Sequence, residues 1–478
     1  METIDRRTFL RRGLAAAAGT LTFGGPFQAL LARPALAVDQ DAGYGPLVPV
    51  PDHRDGAVRL HLPEGFEYRS FSYTGEVMTD GVATPGRHDG MAAFAGRQGR
   101  YVLVRNQEIN GPGPAFGDGS RAYDAMARGG TTTLEVSRRA EEFRAWVSLN
   151  GTQMNCAGGP MPWGSWVSCE ETVNGPDVGP DFTGVPNDAL EEKHGYIFEV
   201  PSSWGPGQYQ SVSPIRAAGR FAHEAVAVDP GTGYLYLTED NFGFPSGFYR
   251  YRAPQNPMST GELTDGGVLE MLAIEGERKA QLHTGRTVGE TLDVTWVEIK
   301  DPDPTFKRGT TNDEAISAVG DQGRKRGAAT FSRLEGLHHG DGTFYIVSTQ
   351  GGDAPDGGPT SGFGDGYGQV WAYRPSEETL TLLFESPGRE VLELPDNATV
   401  SPQGSVLLNE DGPVENFLRG LTPEGVLFDF AMNAIPGRMQ EEFAGSTFSP
   451  DGKTLFVNIQ AASALTLAIW GPWKQGPL

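Results

Sequence analysis

Six segments of this chain share one plan: a short apolar run, rich in β-branched and aromatic residues, that ends in polar or acidic ones. They are "YVLVRNQE" (101–108), "GSWVSCEE" (164–171), "YLYLTEDN" (234–241), "FYIVSTQGG" (344–352), "SVLLNEDG" (405–412) and "TLFVNIQ" (454–460). Each follows a shorter segment upstream: "HDGMAAF" from His88, "NCAGG" from Asn155, "FAHEAVAV" from Phe221, "RLEGLHHG" from Arg333, "PDNATVSP" from Pro395 and "FAGSTFSP" from Phe443. Turns such as "PGTG" and "PDGK" join the two parts in several units.

A two-strand repeat that recurs six times predicts an all-β chain folded as a six-bladed β-propeller. The partner strands of each blade would come from between the units, as in "HGYIFEV" and "QVWAYRP". Two packed sheets are the alternative, and six recurrences favour one closed ring. The 478 residues read as one domain because 66 glycines and 35 prolines punctuate short β runs and helical periodicity is scarce. The interval from Glu224 to Glu335 is longer than the rest, and its polar stretch 254–326 is predicted to be an insertion between blades.

The N-terminus carries its own signal. Arg6 and Arg7, then Phe9 and Leu10, precede a modestly apolar run, and Ala35 and Ala37 form an A-x-A site. This pattern predicts a twin-arginine export signal over 1–37, with the propeller over 38–478. The apolar run is too short and too rich in glycine and alanine to span a bilayer well. The expected protein is periplasmic or secreted, exported folded by the twin-arginine machinery, monomeric and without a stable membrane anchor. Formal charge is −23, and the first 37 residues hold five arginines against two acids, leaving −26 for the rest. Such acidity excludes nucleic acid and anionic membranes as partners and suits hard cations, which take carboxylate oxygens.

In a propeller the inner strands converge on one channel, so polar residues far apart in sequence meet at its mouth. The acids on these strands are Asp89, Glu108, Glu170, Glu171, Glu224, Glu239, Asp240, Glu335, Asp396, Glu410 and Asp411. So many carboxylates around one channel must keep their protons or share cations. The candidate metal ligands are Cys156, Glu170, Glu171, Glu224, Glu239, Asp240, Glu335, Asp396, Asn397, Glu410 and Asp411. Cys156 stands where the later units carry Glu224 and Glu335, and Cys169 precedes an acidic pair. Spacing alone leaves a Cys156–Cys169 disulfide and a metal-bound thiolate on equal footing. His223 reads as ligand, proton donor or core residue, His194 as a support for a turn or a ligand, and His338 and His339 as loop residues. Zinc clusters of the usual His and Cys spacing, P-loops, dinucleotide fingerprints and G-x-S-x-G elbows are absent from the sequence.

The blocks "NCAGGPMPWGSWVSCEE", "GRFAHEAVAVDP", "YLTEDN", "FSRLEGL" and "EFAGSTFSPDGKTLFVNIQ" closely resemble the PhoX-type alkaline phosphatases, in order, from about Asp89 to Gln460. The resemblance implies hydrolysis of small phosphate monoesters by a cluster of two ferric ions (Fe3+) and three calcium ions (Ca2+) with a bridging oxo group. It implies an iron ligand at Cys156, leaving Cys169 a structural thiol. Glu224 and Glu335 would bind metal, and Arg333 would hold the phosphate; a salt bridge to Glu335 is the plainer role for Arg333. Gln107 departs from the family pattern, which carries histidine there. Two other functions fit a propeller: a calcium-dependent lactonase-like hydrolase, and a non-enzymatic extracytoplasmic binding module. Neither calls for a channel thiolate beside an arginine.

Overall fold

The computed structural model describes residues 42–478 apart from position 360. The expected export signal and its cleavage site lie outside the described residues. The described residues form an all-β, propeller-like structure of five hydrogen-bonded sheets with three, four, four, six and nine strands. Among the described residues, no helix is long and apolar enough to cross a membrane.

All six repeated segments form antiparallel hairpins. Strand His88–Ala95 pairs with Tyr101–Gln107, Asn155–Met161 with Ser165–Glu170, and His223–Val228 with Leu235–Glu239. Leu334–Gly340 pairs with Thr343–Ser348, Pro395–Val400 with Val406–Glu410, and Phe443–Phe448 with Thr454–Ile459. The first strands of these hairpins neighbour one another in a closed cycle, the sixth returning to the first. Segments 194–200 and 369–375 contribute third strands, Ile197–Pro201 and Gln369–Arg374. His338 and His339 lie inside strand Leu334–Gly340, opposite Tyr345 and Phe344, so the expectation of a loop there is corrected.

The hairpins bury both faces, because each sheet is packed between neighbours. On strand Tyr101–Gln107, Leu103 joins one apolar cluster and Val104 another. Full burial of such a side chain is worth roughly 1.5–3 kcal/mol. The ring is fastened by its ends: Glu67–Phe71 pairs with Leu465–Trp470, so the N-terminal chain completes the C-terminal sheet and removes an open edge. The stretch 254–326 adds Val268–Ile274 beside Phe248–Arg252, then Thr291–Glu298, which bridges to Thr379–Glu385 and merges two units into the nine-stranded sheet. It also carries the short helices Asn312–Ile316 and Ala318–Arg326.

The centre is narrow. All six first strands line a pocket of about 50 Å³, with Gly90, Ala157, Ala225, Gly336, Asn397 and Ser446 at matching positions. Small residues are required here: a Cβ on Gly90 would sit 2.6 Å from the Ala157 Cα, and one on Gly336 would sit 2.5 Å from the Asp396 carbonyl oxygen.

Candidate metal centre

Every one of the six hairpins has a β-bulge at the same point of its first strand, two residues against one. A bulge re-aims the side chain it contains. The bulge holds Asp89, Cys156, Glu224, Glu335 and Asp396 in five strands and Gly445 in the sixth. Two residues earlier, Arg87, Met154, Arg333 and Leu394 take left-handed backbone angles, φ of +41° to +50°. Such non-glycine residues cost on the order of 1–3 kcal/mol each and cluster at functional sites.

The second strands deliver the remaining acids. Just past their ends, the N–H of Glu108 donates to the Arg87 carbonyl, that of Glu171 to Met154, that of Asp240 to Ala222 and that of Asp411 to Leu394, at 2.9–3.2 Å. Thr349 repeats this bond to Arg333 without supplying an acid. Cys156, Glu171 and Glu224 offer ligand atoms within 4.8 Å of one another, as do Glu224, Glu335 and Asp396. Glu224 belongs to both groups, is fully buried, and neither of its carboxylate oxygens has a hydrogen-bond partner. Cys156 is buried and unbonded to Cys169, which packs in the apolar core with Val167 and Ile197.

Burial first, then neighbouring acids, push Glu171, Glu224, Glu335 and Asp396 well above the usual carboxylate range. The same causes raise Asp89 to about 8, and burial raises Glu108 to about 7. Burial together with Asp89, Glu224 and Glu171 holds the Cys156 thiol well above its ordinary value. A set of like charges excluded from water is the electrostatic signature of a cation site. Carboxylates suit hard ions and the thiolate suits a softer one, so these residues fit metal.

Arg333 stands at the edge of the cluster. Its Nη2 donates to Asp240 Oδ2 at 2.9 Å and lies 2.7 Å from Glu335 Oε1, and its Nε donates to Asp240. The exposed Phe242 ring lies 5.0 Å from the guanidinium. An arginine has five N–H donors in a planar fork, so donors remain for a phosphate.

Not every expected residue joins the cluster. Glu170 turns away, accepting from the N–H groups of Gln153 and Gly195 and lying 2.6 Å from His194 Nδ1. Glu239 accepts from the Gly247 N–H and the Tyr249 hydroxyl, and Glu410 from the Glu393 and Phe417 N–H groups and Arg419 Nε. These three acids brace loops within their sheets. Asn397 donates to Asp396 Oδ1 and accepts from the Gly445 N–H, both at 2.6 Å, which fixes Asp396 against the sixth strand. His223 is core: Nε2 bonds the Gly219 carbonyl and the ring stacks 3.6 Å from Phe221. The sequence reading missed Glu442, which burial and then Asp411, Asp396, Asp89 and Glu108 hold well above the carboxylate range. The one clue lay in the sixth unit, whose repeat brings no acid of its own and is preceded by "EE".

The family model for "Alkaline phosphatase PhoX" matches residues 42–146 and 138–463. Among solved structures, Pseudomonas fluorescens PhoX in complex with vanadate, a transition state analogue, is 18% identical. The match covers 91% of this chain and 98% of that one, with a TM-score of 0.63. A gluconolactonase from Xanthomonas campestris (13% identity, 92% and 99% covered, TM-score 0.38) and a virginiamycin B lyase from Staphylococcus aureus (11%, 85% and 99%, 0.38) are more remote. No curated protein matches.

Proposed function

This chain belongs to the alkaline phosphatase PhoX family, and from that premise we propose that it hydrolyses phosphate monoesters at the acid-lined end of its channel. The observation that carries the reading is Glu224, a buried carboxylate with two unpartnered oxygens shared by two convergent ligand groups. Cys156, Glu171, Glu224, Glu335 and Asp396 would hold the metal ions, with Asp89, Glu108, Asp240, Asp411 and Glu442 around them. When bound, such ions neutralise phosphoryl charge and lower the pKa of water. Arg333 grips the phosphoryl oxygens through its free donors, Asp240 and Glu335 fix the guanidinium plane, and Phe242 covers it. The vanadate bound to the Pseudomonas fluorescens relative supports phosphoryl transfer as the chemistry.

The finer reading is two ferric ions, three calcium ions and a bridging oxo group, a set with ten net positive charges. Nine channel carboxylates and the Cys156 thiolate carry ten negative ones, which supports this complement and leaves the Arg333 charge for the substrate. Six hairpins with six equivalent bulges support six blades. Arg6, Arg7 and the A-x-A site support twin-arginine export to the periplasm or beyond.

The test is aryl phosphate hydrolysis by protein purified without chelator, with elemental analysis of the same sample. Iron, calcium and activity should be present together, and a calcium chelator should abolish turnover. Arg333→Ala should keep its metals and lose about 10²–10³ in rate, the usual effect of removing one donor to transition-state charge. Fully metallated protein that is inert on a broad ester panel would overturn the reading.

A further inference from the structure

Beside the segment that leads into Arg333 is a cleft of about 620 Å³, lined in part by Thr330, that the chemistry above does not use. In a chain of net charge −23 its wall is cationic: Lys279, Arg324 and Lys325 face a single acid, Asp321. Arg324 is committed, donating to Asp321 Oδ1 at 2.8 Å and to the Pro245 carbonyl at 3.0 Å. Lys325 Nζ is 3.8 Å from Asp321, beyond hydrogen-bond reach, and Lys279 has no carboxylate partner among the described residues. The Phe363 and His283 rings, 4.9 Å apart, also line the cleft.

The cleft and the phosphate-binding arginine share one partition. Thr330 lines the cleft three residues before Arg333, a span of at most roughly 10 Å along the chain. The Phe363 N–H donates to the Phe242 carbonyl at 2.7 Å, and Phe242 is the ring over Arg333. Pro245, which also lines the cleft, lies in the loop from Asp240 to Gly247.

Resting on the phosphatase reading, we propose that this cleft takes the leaving-group side of the substrate and binds a second anionic group there. Esters with another phosphate or a carboxylate within roughly 10 Å of the scissile phosphate are then preferred. An acidic surface repels anionic substrates, so a basic wall beside the site is where such an ester can approach and dock. Lys279 and Lys325 supply charge-assisted donors, and the Phe363 and His283 rings cover the carbon skeleton.

The experiment compares KM for fructose 1,6-bisphosphate against fructose 6-phosphate, and for 6-phosphogluconate against glucose 6-phosphate, at low salt. Parent enzyme is set beside the Lys279→Met, Lys325→Met double variant, with 4-nitrophenyl phosphate as the single-anion control. Parent should favour the doubly anionic member of at least one pair by about tenfold, the usual weight of a charged hydrogen bond. The double variant should lose that advantage with its 4-nitrophenyl phosphate kinetics unchanged. The pair that shows the advantage names the anion. An equal KM ratio in parent and variant, or no advantage in either pair, overturns the proposal. If the parent cleaves no ester, the phosphatase reading has failed. Calorimetric titration of fructose 1,6-bisphosphate then decides the cleft: about tenfold weaker binding in the variant upholds it, and equal binding overturns it.

Discussion

Glu224 shows how much one side chain can carry. Its carboxylate belongs to both candidate metal groups, beside a thiol on one side and two further acids on the other. The two cysteines divide on the same logic. Cys156 sits in a bulge facing the channel, whereas Cys169 is packed among apolar side chains of a sheet interface. Cys156→Ala should therefore remove iron while the calcium content and the fold persist. Cys169→Ala should keep both metals and lose roughly 1–2 kcal/mol of stability, the scale for deleting a small buried group. Elemental analysis and urea unfolding of the two variants check this, and equal iron loss in both would undo the division.

At the scale of the element, the lesson is phase. The repeat, its turns and its convergence on one channel were legible because apolar runs and Gly/Pro punctuation report strands directly. The acidic pairs were read as single units, yet neighbouring residues of a strand point to opposite faces. Glu171, Asp240 and Asp411 therefore reach the channel, and Glu170, Glu239 and Glu410 brace their sheets. The bulges were not legible, since a two-against-one register leaves no mark in hydrophobic pattern. Glu442 lay outside the repeat and carried no periodic signal. One pair offers a direct contrast. Burial opposes charge on His194, but Glu170 and Asp124 outweigh it and hold the imidazole up to about 9. That raised pKa contributes stability fully below the unfolded value of 6.5, and the contribution is lost as pH rises through about 9. Glu170→Gln should cost roughly 3–5 kcal/mol at pH 6, and the deficit should shrink above pH 9. Glu171→Gln should lose metal, with little loss of stability near pH 6 and a larger one at higher pH, the opposite trend to Glu170→Gln. Urea midpoints at both pH values, with metal content, separate the two. A Glu170→Gln deficit that does not change with pH would rule out the charged clamp.

For the whole molecule, a ring of sheets closed by its own N-terminal strand brings acids from five hairpins, and Glu442 from just before the sixth, into one dry place, where their mutual repulsion works against the fold. Metal ions relieve that repulsion, so stability and metal content are linked. The sign follows from the raised carboxyl groups. Asp89, held up to about 8, and Glu108, held up to about 7, keep protons in the metal-free fold that they release when unfolded above about pH 4. Folded chains then bind more protons than unfolded ones, and stability must fall as pH rises from about 5 to 8. A tenfold difference in proton affinity between folded and unfolded chains is worth about 1.4 kcal/mol, so two groups alone give several kcal/mol across that window. Bound cations keep the same carboxylates ionised in the fold and remove the dependence. His194 adds a fall of the same sign above pH 6.5, but it is common to both forms and cancels in their difference. Chelated and metal-loaded protein should therefore have similar urea midpoints near pH 5 and should diverge steadily toward pH 8, the chelated form being the weaker. Parallel curves across the window would mean that the channel acids do not titrate as a buried, cation-dependent set.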